Sequence, residues 1–249
     1  MKKILYICLA IALFSCNNED APDCFQNSGD IIQEEFIVDN FTKITVFSRV
    51  ELIVKQDAVQ RIIVETGENL LNDIEVRVEN NRLSIINNNA CNLTRDYGLT
   101  KVFVSAPNLT EIRNGSGLTV SSDGVLAFDS LKLISEDFNT DGEVNSDGDF
   151  NVVVDCLELD CIVNNLSSMF ISGQVEDLFV GYYSGDARFE GRHLIAQNID
   201  IFQRSSNDLI VNPQQNLTGE IRSTGDVISV TTPPTVNVEQ YYTGVLIFE

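Results

Sequence analysis

The stretch "YYSGDARFEG", Tyr182–Gly191, sets a small pair, Ser184-Gly185, ahead of Asp186 and an alternating run. Related phrases stand at "NGSGLTVSSDG" from Asn114, "NLSSMFISG" from Asn165, "SSNDLIVN" from Ser205 and "STGDVISV" from Ser223. Each lies between two short strand-like runs. Glycine supplies unusual φ values, while Ser, Asn and Asp satisfy turn backbone groups locally, so the phrase reads as a corner. Cutting the chain at the aliphatic residues that open each unit gives six units from Leu109 to Gln240, of 22, 26, 21, 21, 21 and 21 residues. A recurrence of this length is the mark of a solenoid, in which one unit cannot bury its apolar face alone and stacked units share a core. The spacing predicts an all-β fold, a β-helix with coils of about 21 residues.

Upstream, residues 36–105 read as strand after strand, with apolar residues at every second position in Ile74-Glu75-Val76-Arg77-Val78. "ENN", Glu79–Asn81, is a hairpin or tight-corner signal. Only Glu68–Ile74 could hold a helical turn or two.

The amino terminus reads as an address. "MKK" is followed by eleven apolar residues, Ile4–Phe14, about half of what a bilayer span needs. Residues 1–15 are expected to be a signal peptide. Leu13-Phe14-Ser15-Cys16 resembles a bacterial lipobox, which makes Cys16 the lipid anchor and the outer membrane the expected location, at either the cell surface or the periplasmic face. Two acyl chains hold a protein on a membrane stably. Residues 16–30 form an acidic tether, and residues 31–249 form the domain, divided into a strand-rich part, 31–105, and the repeated units, 106–249.

The chain has 249 residues and a net charge of −21. Without residues 1–15 it keeps 14 basic and 37 acidic residues, a balance of −23. Phosphate backbones are bound by clustered Lys and Arg, so nucleic acid is excluded as a partner. Beyond Cys8 and Cys16 four cysteines remain, an even number in an exported chain. Three pairings are possible; the polar, turn-like surroundings of Cys24 and Cys91 favour a disulfide between those two. Cys156 and Cys161 are an odd number of residues apart and face each other only if the chain turns between them.

The phrases "IRNGSGLTV", "SGDARFEG" and "STGDVISV", with "FTKITVFSRVELIVKQ" and "IEVRVENNRLSI" upstream, resemble the family of putative auto-transporter adhesins, head GIN domain. The lipobox and the "CNLTRDYG" segment resemble its lipoprotein members. The resemblance spans roughly residues 24–249. It implies a single-stranded right-handed β-helix and a non-enzymatic binding or adhesin-like role at the cell envelope, with a glycan or protein ligand.

Chemistry-bearing residues are few. The one histidine, His193, cannot build a multi-histidine metal site, and no nucleophile elbow, zinc motif or phosphate loop is present. No catalytic residue and no cofactor are expected. Asp186, Asp208 and Asp226 sit at corners and would form a vertical ladder if stacked; solvated capping residues are one reading, a sugar or cation site the other. Asp137, Asn139 and Asp141 followed by Gly142 match the start of a calcium loop, but Gly148 stands where the bidentate glutamate belongs. Two other functions stay open: a carbohydrate-active β-helix enzyme, for which the corner carboxylates would be the acids, and a purely structural envelope protein.

Overall fold

The structure, a computed structural model, describes residues 26–89, 91, 98–137 and 144–249. Cys16, Cys24, Asn139 and Asp141 lie outside them. Among the described residues nineteen strands form one sheet. The first nine are β1 (Ile31–Phe36), β2 (Lys43–Val46), β3 (Glu51–Gln56), β4 (Arg61–Gly67), β5 (Ile74–Glu79), β6 (Arg82–Asn87), β7 (Lys101–Ala106), β8 (Glu111–Asn114) and β9 (Val120–Leu126). There follow β10 (Ser130–Ser135), β11 (Phe150–Asn165), β12 (Met169–Gly185), β13 (Phe189–Glu190), β14 (Leu194–Gln203), β15 (Leu209–Val211), β16 (Pro213–Ile221), β17 (Val227–Ser229), β18 (Thr235–Gln240) and β19 (Leu246–Phe248). The only helical piece described is a 3-10 turn, Leu71–Asp73, inside the segment whose sequence allowed one.

Alternation builds the strands. In β3 the buried residues are Leu52 and Val54, in β7 Val102, Val104 and Ala106, and in β6 Leu83, Ile85 and Asn87. The inward residues of the sheet, from Phe41 to Val227, belong to one contiguous core. A single sheet that buries one face in a single core must wrap around it, and β11 and β12 supply the bend. Their alternation slips where two exposed residues are adjacent, Leu157-Glu158 and Glu176-Asp177, and resumes inward at Leu159 and Leu178. Each of these long strands therefore belongs to two walls. Phe150–Val154 pair with Met169–Gly173 before the bend, and Glu158–Val163 pair with Asp177–Tyr182 after it.

The sheet is mixed, and this overturns the expected single-stranded right-handed β-helix with coils of about 21 residues over 31–249. Strands β1, β4 and β7 are antiparallel neighbours, and β5 and β6 form an antiparallel hairpin closed by Asn80 and Asn81, both at positive φ. Strand β2 lies between β6 and β8: Ile44 faces Leu83 on one side and Ile112 on the other. One wall then runs Ile44, Ile112, Leu133, Cys161, Val180, Ile201, Gly219, with steps of 68, 21, 28, 19, 21 and 18 residues. A chain that laid one coil upon the last would keep a steady step. The physical reason for the miss is that alternation and corner chemistry look alike in parallel and antiparallel strands; they do not name a strand's neighbour.

The corner phrases cross-link consecutive levels of the sheet. In "NGSG", the buried Asn114 amide donates to the carbonyls of Leu118 (2.9 Å) and Gly148 (3.0 Å) and accepts from the Ser116 N–H at 3.0 Å. Gln203 repeats the arrangement, donating to Asn207 O at 2.6 Å and accepting from the Ser205 N–H at 3.1 Å. In Tyr182–Gly191, Gly185 has φ +88°, and the Asp186 N–H reaches Asn165 O at 3.0 Å. A side chain at 185 would start 1.8 Å from that same oxygen, so the levels approach this closely only across glycine.

Candidate ligand-binding face

Strand register decides which corner residues share a column. Phe189 pairs with Leu209, and Leu209 with Val227, so Arg188, Asp208 and Asp226 are level with one another; Asp186 lies two residues away. The column continues through Asp149 and Ser168, and its side chains cap the next level's backbone. Asp149 accepts the Ser168 N–H (2.8 Å), Ser168 Oγ the Arg188 N–H (3.2 Å), Asp208 the Asp226 N–H (3.1 Å) and Asp226 the Val245 N–H (2.9 Å). Arg188 adds an ion pair to Asp208 at 3.6 Å. Asp186 instead accepts from Ser206 Oγ at 2.7 Å. The ladder of Asp186, Asp208 and Asp226 is therefore not assembled, and two of its members are backbone caps.

The other candidates are scattered. His193 is exposed at the start of β14, and Asp137 is exposed at the end of the β10 wall. Among the described residues no group of three or more His, Cys, Asp or Glu side chains is placed to hold a metal. Cys91 is disulfide-bonded, and Cys24, its expected partner, lies outside the described residues. Cys156 and Cys161 both point inward, because the bend at Leu157-Glu158 reverses the alternation between them; they remain free thiols. Burial pushes the Cys156 thiol up to about 11 and raises that of Cys161 as well.

One outward face collects what sequence reading missed. Immediately after the bend, successive strands carry a polar–aliphatic–variable triplet: Glu158-Leu159-Asp160, Asp177-Leu178-Phe179, Asn198-Ile199-Asp200 and Asn216-Leu217-Thr218. Register aligns them, Asp177 with Asn198 and Asn198 with Asn216, Phe179 with Asp200 and Asp200 with Thr218. The aliphatic residue is buried each time, and its flanks face outward. They line an open groove of about 260 Å³. Along one side, Asn216 Nδ2 donates to Asn198 Oδ1 (2.5 Å) and Asn198 Nδ2 to Asp177 Oδ1 (2.7 Å). Along the other, Thr218 Oγ1 donates to Asp200 at 3.1 Å, and Lys132 pairs with Asp160 at 2.9 Å.

An aromatic strip borders the groove. A Cβ at Gly181 would lie 2.7 Å from a Phe179 ring carbon and 3.0 Å from a Tyr183 ring carbon, so the glycine makes room for both rings. Tyr183 stacks at a tilt on Phe202, centroids 5.0 Å apart. The Arg222 guanidinium stands 6.0 Å from the Phe202 ring and 4.2 Å from that of Tyr241, within cation–π range. The triplets lie at or near the ends of the sequence units, and only the register brings them and their outward aromatic partners onto one face.

The family described as "Putative auto-transporter adhesin, head GIN domain" matches residues 40–233. Among solved structures, a putative adhesin from Bacteroides fragilis NCTC 9343 is similar with a TM-score of 0.78 at 16% identity, over 88% of this chain and 97% of the other. A putative lipid binding protein from Parabacteroides distasonis ATCC 8503 gives 0.64 at 15% identity, over 89% and 97% of the two chains. A putative adhesin from Parabacteroides merdae ATCC 43184 gives 0.59 at 16% identity, over 89% and 97%. These likenesses concern the fold. No curated protein matches the chain. With the family match covering residues 40–233, well over half of its length, the chain belongs to the putative auto-transporter adhesin, head GIN domain family.

Proposed function

We propose that this protein is a lipid-anchored envelope module that binds ligands at the cell surface without catalysing a reaction, an adhesin-like role. Residues 1–15 serve as signal peptide, Cys16 takes the lipid, residues 16–30 form the acidic tether, and residues 31–249 present the binding domain. Membership of the adhesin head family carries this reading. The capping role of Asp208 and Asp226 supports the non-enzymatic part, since both carboxylates already accept a backbone N–H. Solved structures of similar fold are described as putative adhesins, which favours surface attachment over a purely structural role.

The test uses whole cells carrying the full chain. Cys16→Ser should abolish palmitate labelling and release the protein from the outer-membrane fraction, and adherence to mucin-coated surfaces should fall to that of a deletion strain. Labelling that survives Cys16→Ser removes the anchor. Adherence that is equal with and without the chain removes the binding role, and glycan cleavage lost in a folded Asp186→Asn variant removes the non-enzymatic reading.

A further inference from the structure

We infer that the groove between the triplets of β11, β12, β14 and β16 binds a neutral oligosaccharide, with Phe179 as the stacking platform and Asp177, Asn198, Asp200 and Asn216 as the hydroxyl-binding side chains. The inference deepens the proposed function and rests on it.

A sugar ring presents an apolar C–H face and a rim of hydroxyls that both donate and accept. A site for it therefore needs a flat apolar surface beside groups of mixed hydrogen-bonding sense. Phe179 supplies the surface: its ring is half-buried, lines the groove and is given space by Gly181. The amides supply the mixture. Each of Asn198 and Asn216 has one N–H used along the ladder, which leaves a second for a ligand oxygen. Asp177 and Asp200 each accept one hydrogen bond from a neighbouring strand through Oδ1, and the remaining carboxylate lone pairs are free for hydroxyl donors.

Shape and charge narrow the ligand further. At about 260 Å³ the groove falls below the roughly 300–1,000 Å³ of clefts that engulf small molecules. It suits one ring of a longer chain lying across strands spaced about 4.8 Å apart. Four carboxylates line it, Glu158, Asp160, Asp177 and Asp200, and Lys132 pairs with only one of them. That field repels uronates, sulfated sugars and other anions. A basic peptide would answer the charge, but its donors and its carbonyl acceptors sit on separate atoms, whereas one sugar hydroxyl can donate to Asp177 and accept from the adjacent Asn198.

The full chain in detergent is passed over beads bearing starch, yeast mannan, galactan or chitin, with polygalacturonate as the anionic control and polylysine as the basic one. Retention is expected on at least one neutral matrix, unchanged by high salt, and absent from polygalacturonate. Phe179→Ala and Asn198→Ala should each weaken it roughly tenfold, with melting points kept. Gly181→Ala, which forces only the outer ring atoms of Phe179 and Tyr183 to move, should weaken it with the fold intact; Val59→Ala, at an exposed site in the β3–β4 connection, should not. The inference is overturned by absence of retention on all four neutral matrices, by retention that salt abolishes, by binding confined to polylysine, or by indifference to Phe179→Ala, Asn198→Ala and Gly181→Ala together. If the beads fail while cells still adhere to mucin through the chain, the groove assignment falls and the surface-binding function stands; if both fail, the functional reading falls with it.

Discussion

Gly185→Ala measures how closely the levels of this sheet are held. The new Cβ would lie 1.8 Å from Asn165 O and 2.5 Å from its carbonyl carbon, and both are backbone atoms that no rotamer change can move. Two costs add. A φ of +88° is unfavourable for alanine by about 1–2 kcal/mol. Pushing the levels apart also weakens the hydrogen bonds from Asp186 N–H to Asn165 O (3.0 Å) and from Ser206 N–H to Gly185 O (2.9 Å), each worth about 1 kcal/mol net. The sum is about 3–4 kcal/mol. Gly124→Ala is the control: φ is +89°, but nothing lies within 4 Å of the added carbon, so only the first cost applies. Urea unfolding of both variants, compared at equal slope, reads the difference directly. In a domain of this size each kcal/mol lowers the melting point by roughly 2–4 °C, so Gly185→Ala should melt well below Gly124→Ala. Equal midpoints would refute the idea that close backbone approach, rather than φ alone, selects glycine in the opening phrase.

Two further outcomes are expected. The folded Cys156 thiol titrates near 11 instead of its ordinary 9.0, so between those values the unfolded chain has lost a proton that the folded chain retains. Stability contributed at this site is therefore flat below about pH 9 and falls by roughly 2–3 kcal/mol towards pH 11. Urea midpoints of Cys156→Ala should decline less over that range, and parallel declines would dismiss the effect. We also propose that Cys91 is bonded to Cys24; peptide mapping without reductant should recover that linked pair, a closure worth roughly 4 kcal/mol on the chain-entropy view, and Cys24 recovered as a free thiol would exclude it.

What could be read in advance depended on the range of the interaction. The Asn80-Asn81 hairpin and the 3-10 turn at Leu71–Asp73 are set by neighbours in sequence, and their segments carry the signal. The course of β11 was harder. A unit boundary at Cys156-Leu157 looks like a break between strands, yet the strand runs through it and only the inward phase shifts. Placing β2 between β6 and β8 was beyond pattern reading, since Ile44 would satisfy its burial equally well beside any aliphatic strand. The acidic ladder failed for a related reason. "SGDARF" and "SSNDLIV" look equivalent when aligned on Asp186 and Asp208, but pairing of Phe189 with Leu209 puts Arg188, not Asp186, level with Asp208. The groove triplets carried no signal of their own in the sequence, because a face exists only once register is known.

The corner column also explains why acidic residues alone were a poor guide to function. A chain that turns at every level presents a backbone N–H at each corner, and an acceptor on the level before can take it. Asp149, Ser168, Asp208 and Asp226 do so in turn. Arg188 has no acceptor to offer, and at that level the Asp208 N–H is taken instead by the side chain of Asn207 at 2.9 Å. Ser168 and, where Arg188 intervenes, the neighbouring Asn207 make the contact that aspartate makes at the other levels, so the contact needs an acceptor and not a charge. On the groove face the partners differ in kind. Asp177, Asp200 and Asp160 bond to the side chains of Asn198, Thr218 and Lys132, which can rearrange to admit a ligand, whereas a corner cap cannot let go of its N–H without loosening a level of the sheet. Of the carboxylates held by side chains, Asp160 and Asp200 stand level with Phe179 on the neighbouring strands, which is why the proposed sugar site is placed there and not at the corners.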